Sequence, residues 1–163
     1  MMTKLLPPLL ILLLVSGCST KPVLPTEGVN TALSVQQLTD SGKAMSGIRV
    51  LWGGVIVAST NLKDRTRLEV LAYPLDSNQR PKTSSPAGGR FLSYHKGYLE
   101  TVDYAAGRQV SMVGVITGTE EARLGEHHYK YPSMQAEKIH LWPIAQQESD
   151  TRVRFGFGIL LHN

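Results

Sequence analysis

Between residues 47 and 142 the apolar positions of this chain mostly recur with a period of two. Ile48, Val50, Trp52, Gly54 and Ile56 share one parity; Arg49, Leu51, Gly53, Val55 and Val57 share the other. So many β-branched residues in alternation predict a strand. Gly53-Gly54 predict a bend in it, because glycine inside a strand often marks a bulge or a barrel corner. Residues 59–64 read as the turn. In the second strand Thr66, Leu68, Val70 and Ala72 face one side, and Arg67, Glu69, Leu71 and Tyr73 the other. Arg67 and Glu69 mark that second face as the wet one. Gly89 to Tyr94 predicts a short third strand, and Gln109 to Gly118 a fourth, again bent by glycine. Met134 to Trp142 predicts a fifth, ending at Pro143, with Met134, Ala136, Lys138, His140 and Trp142 on one face.

The intervening segments are polar. Residues 76–89 form a loop with Pro81, Pro86 and Gly88-Gly89, and 97–104 a connector. Glu120 to Tyr131 is a charged hairpin or loop containing histidine. Upstream, Leu33, Val35, Leu38, Ala44 and Met45 have imperfect helical spacing interrupted at Asp40-Ser41-Gly42, which predicts a short helix followed by a turn. Five or six strands, several bent by glycine, with a longer connector between the third and fourth, predict an all-β domain. The arrangement expected is a small OB-like, Greek-key β-barrel with a short helix.

The first twenty residues follow a different pattern. One cation, Lys4, precedes an apolar run from Leu5 to Val15 that is broken by Pro7-Pro8 and followed by Ser16-Gly17-Cys18. The run is shorter than the ~20 residues of a spanning helix and has the length of a signal-peptide core. Two alternatives are a buried N-terminal helix with a core cysteine and an ordinary secretory signal that leaves a free thiol. The prolines, and Ser19-Thr20-Lys21-Pro22 after the cysteine, oppose the helix. Val15 three positions before Cys18, with two small residues between, is the lipobox arrangement of a bacterial lipoprotein. Cleavage is expected between Gly17 and Cys18, with lipid, palmitate included, on the Cys18 sulfur and amine. One acyl chain binds a membrane only marginally, and stable anchoring takes at least two, at about 0.8 kcal/mol per buried methylene. Ser19 rather than Asp after the cysteine favours the outer membrane, with the domain facing the periplasm.

These readings divide the chain into a signal peptide (1–17), a lipidated flexible tether rich in Pro, Gly and small polar residues (18–32), a β-barrel domain (33–145) and a C-terminal tail (146–163). The chain has 163 residues and a single cysteine. With that thiol lipidated, no disulfide is available and the fold must hold by packing. The formal charge of +4, one less after loss of Lys4, is spread along the chain. It favours anionic head groups nearby and is no nucleic-acid footprint. Beyond the covalent lipid no cofactor is expected. The expected partners are outer-membrane lipid, through the acyl anchor, and an unidentified envelope protein or glycan.

Several stretches carry a further signal: the lipobox at Cys18, Val50-Leu51-Trp52-Gly53-Gly54-Val55-Ile56, Thr66-Arg67-Leu68-Glu69-Val70, Pro74-Leu75-Asp76 with Pro81, and Gly89-Arg90-Phe91. Gly97-Tyr98-Leu99-Glu100, Val102-Asp103-Tyr104, Gly107-Arg108-Gln109-Val110, Val113-Gly114, Gly118, Gly125, Tyr129 and Trp142 complete the series. Together, in this order and spacing, they resemble the Slp (starvation-inducible) family of Gram-negative outer-membrane lipoproteins. The resemblance implies a lipid-anchored β-barrel domain facing the periplasm, with a role in the cell envelope, and supplies no reaction. The chain departs from the family in its tail, where Phe155-Gly156-Phe157-Gly158 alone echoes a longer aromatic, glycine- and proline-rich terminus.

Candidate chemistry is sparse. His127-His128 with Glu126 would point to opposite faces of a strand and so would not chelate together; the plainer reading is a solvated polar loop. His140 reads as a strand position, and His95 and His162 stand alone. Glu100 and Asp103, three apart and near Tyr98 and Tyr104, could form the carboxylate pair of a hydrolase acting on an envelope polymer. The plainer reading is a turn cap plus a surface charge. No Gly-x-Ser-x-Gly elbow is present for a serine nucleophile. Strand aromatics Trp52, Phe91 and Tyr94 are candidates for a contact surface, weighed against core packing. Phe155 to Leu161 could touch the membrane or form a C-terminal strand. The leading expectation is therefore a non-enzymatic lipoprotein without catalytic or metal residues; the alternative is a hydrolase using Glu100 and Asp103.

Overall fold

The structure, a computed structural model, describes residues 22–42, 45–124 and 126–144. The expected signal peptide, the expected lipobox with Cys18, the side chain of His127 and the tail from residue 146 lie outside the described residues. One short helix, α1 (Val35–Ser41), precedes five strands: β1 (Arg49–Asn61), β2 (Arg65–Ala72), β3 (Arg90–Lys96), β4 (Gln109–Leu124) and β5 (His127–Leu141). They close into a barrel in the order β1-β2-β3-β5-β4. All neighbours are antiparallel except β3 and β5, which pair in parallel through Leu92↔Ser133, Ser93↔Met134 and Tyr94↔Gln135. This is the OB-type barrel expected from the alternation.

The interior is built from the parity that the sequence marks as apolar. Val50, Trp52 and Ile56 of β1, Leu68 and Val70 of β2, Phe91 of β3, Val110, Met112 and Ile116 of β4, and Met134 of β5 form one buried cluster. Trp52 meets Phe91 edge to face, with centroids 5.2 Å apart. Two plugs close opposite ends of β3. At its start α1 lays Val35 and Leu38 on the core. Ser34 caps that helix reciprocally with Gln37, and Gly42 ends it in the left-handed conformation, satisfying groups a short helix would otherwise leave open. At its end the connector 97–108 adds Leu99 and Tyr104. There the Thr66 hydroxyl accepts from Leu99 N (2.8 Å) and donates to the Asn61 side chain (2.6 Å).

The strands are longer than expected. β1 continues through residues 59–61, which were expected to turn. Its irregularity lies between Ile56 and Ala58, not at the two glycines. The glycines serve close approach instead: a Cβ on Gly54 would overlap the Leu71 carbonyl of β2. Of the two readings for residues 120–131, the hairpin holds: β4 and β5 pair as a ribbon from Gly118↔Ser133 to Leu124↔His127. β5 departs from simple alternation. Val113 faces Lys138 while Gly114 faces Ala136, so Glu137 is an extra residue. A bulge of this kind exchanges the two faces. Ile139 and Leu141 therefore pack on the core with Met134, and the shared face expected for Met134, Ala136, His140 and Trp142 does not hold.

Candidate functional site

Residues 22–32 look like a tether by composition, yet they lie as a strap against the barrel. Leu24 is buried. Its backbone is held at both ends by the Gln79 side chain: Leu24 N donates to Oε1 (2.7 Å) and Gln79 Nε2 donates to the Leu24 carbonyl (2.9 Å). Asn30 N donates to the Arg49 carbonyl (2.8 Å), bridging the strap to β1 in parallel. The Asn30 side chain then accepts from Ala32 N and Leu33 N, both at 3.0 Å, and turns the chain toward α1. Arg49 holds the strap from the barrel side through the Glu27 carbonyl (2.8 Å) and pairs with Glu137 (2.7 Å). A segment with few apolar side chains can dock in this way because its backbone groups find specific partners.

The loop after β2 supplies the clamp. Asp76 Oδ1 accepts from Asn78 N and Arg80 N, both at 2.8 Å. These bonds fold residues 74–82 into a tight turn, with Leu75 bridged to Pro81. Gln79 adopts a positive φ of 68° at its tip. The turn packs on the outside of β1 and β4. The Ser111 hydroxyl donates to the Gln79 carbonyl and accepts from Trp142 Nε1 (2.9 Å). Arg80 reaches Gln109 (2.9 Å) and lies over the Trp142 ring at 5.4 Å. A buried polar chain thus runs from Leu24 through Gln79 and Ser111 to Trp142. Between the strap, β1 and this loop opens a cleft of about 680 Å³, lined by Pro22, Leu33, Leu51, Trp52, Tyr73 and Pro86 among others.

A second cluster lies on the outer face of β2 and β3, under the β4–β5 ribbon. Leu92, Tyr94 and Tyr131 are buried there, with Leu62 and Tyr129 packed beside them. Arg90 pairs with Glu69 at 2.6 Å, and Tyr131 donates to the same carboxylate at 3.3 Å. Tyr94 donates to Glu120 on the ribbon (2.8 Å), and Arg65 stacks over the Tyr94 ring at 4.5 Å. Tyr129 meets Tyr131 edge to face, and its hydroxyl accepts from Arg90 N at 2.9 Å. That hydroxyl sits 3.0 Å from where a Cβ on Gly89 would be, and Gly89 has a φ of 95°. This contact ties Gly89-Arg90-Phe91 to Tyr129. Burial raises the Tyr94 hydroxyl above its ordinary range, and Glu120 adds to the shift. Burial and then Glu69 do the same for Tyr131. The hydrogen bond to Glu69 strengthens the hold of Arg90 on its proton.

The structure disperses the residues expected to carry chemistry. Trp52 and Phe91 are core side chains, 4% and 0% exposed, because they stand on the inward parity of their strands. Trp52 donates its indole N–H to the Leu33 carbonyl (2.8 Å) and shows only an edge to the cleft. Tyr94 is outward but covered by the ribbon. The three therefore form no common contact surface. Glu100 and Asp103 are both exposed, on a turn closed by Asp103 N and Tyr104 N donating to the Glu100 carbonyl, each at 3.0 Å. His128 is exposed on β5 opposite Arg123. His140 lies against Trp142 with centroids 4.4 Å apart. Gln79, Ser111 and the Glu69–Arg90–Tyr131 group escaped the sequence reading, since each acts through partners more than twenty residues away.

The profile of the Outer membrane lipoprotein Slp family matches residues 15–158. The chain belongs to the Slp family. It is 34% identical over 142 residues to the uncharacterized lipoprotein YeaY of Escherichia coli K12, covering 83% of this chain and 70% of that one. An uncharacterized protein of Haemophilus influenzae is 33% identical over 94 residues, 57% of this chain and 51% of its own. Outer membrane protein Slp of E. coli K12 is 26% identical over 112 residues, 69% of this chain and 59% of its own. As a member of the family the chain is an outer-membrane lipoprotein. Among solved structures, a mitochondrial single-stranded DNA binding protein from S. cerevisiae has a TM-score of 0.38 at 12% identity, covering 58% of this chain and 94% of that one. A small single-stranded DNA-binding protein from Streptomyces coelicolor has a TM-score of 0.35 at 19% identity, covering 60% and 95%. At that level of similarity the strand order of the Slp barrel itself, rather than these neighbours, identifies the fold.

Proposed function

We propose that the protein is a non-enzymatic binding or structural element of the cell envelope, lipidated on Cys18 after cleavage behind Gly17, with its barrel facing the periplasm. The observation that carries the non-enzymatic reading is the use of the wall's carboxylates to hold the fold. Glu69 serves Arg90 and Tyr131, Glu120 serves Tyr94, Glu137 serves Arg49, and Asp76 serves its own loop. A general acid or base needs a carboxyl free to meet a substrate proton at hydrogen-bond distance. Glu100 and Asp103 stand exposed on a turn, outside the cleft.

The outer face of strands β2 and β3, by which OB barrels hold oligonucleotides and oligosaccharides, is filled in this protein by Tyr94, Tyr129 and Tyr131 under the ribbon. That filling supports a partner met elsewhere on the barrel.

The test is incubation of the purified protein with peptidoglycan, followed by mass analysis of released fragments. The reading predicts none, from the native protein or from a Glu100→Gln/Asp103→Asn variant. Release by the native protein, lost in the variant, would establish the hydrolase instead.

A further inference from the structure

The cleft between strap and barrel is lined mostly by uncharged residues. Leu33, Leu51, the edge of Trp52, Tyr73, Leu75, Pro74 and Pro86 make its walls. Asp76 is the single carboxylate or cation among the described lining residues. Its Oδ1 is already bonded to Asn78 N and Arg80 N. Thr26, Thr31, Gln36 and Ser77 also line it, but no lysine or arginine does, so the cleft offers no cation to a phosphate or a sugar acid. Its volume, about 680 Å³, falls within the range of small-molecule sites.

The position of the cleft names its occupant. Pro22 forms part of the wall and stands four residues after Cys18. Four residues span at most about 14 Å of extended chain. Leu24, two residues further on, is fixed to Gln79 by two hydrogen bonds, so the barrel cannot swing away on this side. Given the lipidated Cys18 proposed above, the cleft is held at the surface of the leaflet that carries the anchor. We propose that it receives an acyl chain of a bilayer phospholipid, which seats the barrel on the membrane by its strap side.

The protein's two tryptophans, Trp52 and Trp142, make the test direct. A Trp142→Phe variant leaves Trp52, at the cleft wall, as the sole tryptophan, which is excited selectively over the tyrosines at the red edge of indole absorption. The acylated full-length product is reconstituted into phosphatidylethanolamine vesicles with or without bromine on the acyl chains, since bromine quenches indole on contact. The anchor carries no bromine, so quenching reports bilayer lipid alone. The expected result is loss of most Trp52 emission in brominated vesicles. Emission should recover when Ala32→Arg or Pro86→Arg places a cation at either wall, with vesicle association unchanged. Absence of quenching by acylated, vesicle-bound protein would overturn the inference and leave the anchor standing. Quenching that persists in both arginine variants would overturn it as well, since proximity to the bilayer would then suffice. Quenching that appears only after removal of residues 145–163 would show the chain's own terminus as occupant, and would also overturn it. An unmodified Cys18 in the intact mass would sink the anchor reading and this inference together.

Discussion

Individual residues in this barrel are chosen by what stands across the sheet from them. Gly54 lies so close to the Leu71 carbonyl that a methyl group there would overlap it. Gly54→Ala must push β1 from β2, and the cost should be at least the ~1–3 kcal/mol usual for overpacking a tight site. Chemical denaturation of the variant beside the parent protein measures it. The tyrosines under the ribbon make a second prediction at this scale. Tyr94 and Tyr131 are protonated more firmly in the folded protein than in the unfolded chain, chiefly through burial. A group whose folded pKa is raised contributes stability that is complete below its unfolded value and is lost as pH rises through the folded one. Stability should therefore hold up to about pH 10, the ordinary tyrosine value, and fall above it. Tyr94→Phe and Tyr131→Phe should flatten that fall, which thermal midpoints measured across the alkaline range would show.

Among the elements, the strap departs most from the sequence reading. Pro22, Pro25, Gly28 and Asn30 are the residues of a linker, and a linker is what local composition predicts. What fixes the segment is long-range: Leu24 meets Gln79, 55 positions away, and Asn30 meets β1. No local pattern encodes such a partner. The same reason hid the shift in β5, where one extra residue, Glu137, turns Ile139 and Leu141 inward. The strands themselves were legible because the inward parity of β2 is apolar throughout but for Thr66, which uses its hydroxyl to tie down the connector. Gln79→Ala tests the element directly. It strands the buried Leu24 N–H and carbonyl, and leaving a buried polar group unsatisfied costs about 1–3 kcal/mol. The expected result is a lowered unfolding midpoint, together with faster protease cleavage within residues 22–32. Unchanged cleavage would mean that Asn30 and Arg49 hold the strap without the clamp.

For the molecule as a whole, a closed barrel is combined with a proposed anchor at Cys18, four residues before Pro22 of the docked strap. Closure pairs the strands within the barrel, while among the described residues the β4–β5 ribbon beyond Ile116 and before Ser133 pairs only with itself, and α1 and the connector 97–108 fill the two ends. The fold class and the membrane address were both legible: the first in the period of two, the second in an apolar run that stops at a cysteine. The contact surface was not, because aromatic residues in a strand announce burial and binding alike, and for Trp52 and Phe91 burial won. The proposed covalent anchor ties the barrel to its membrane. Intact mass of the protein extracted from its own outer-membrane fraction, beside a Cys18→Ala variant, tests it. The account predicts a chain beginning at Cys18 with a multi-acyl mass increment, and loss of both the increment and membrane association in the variant. An unmodified cysteine, or a first residue other than Cys18, would contradict it.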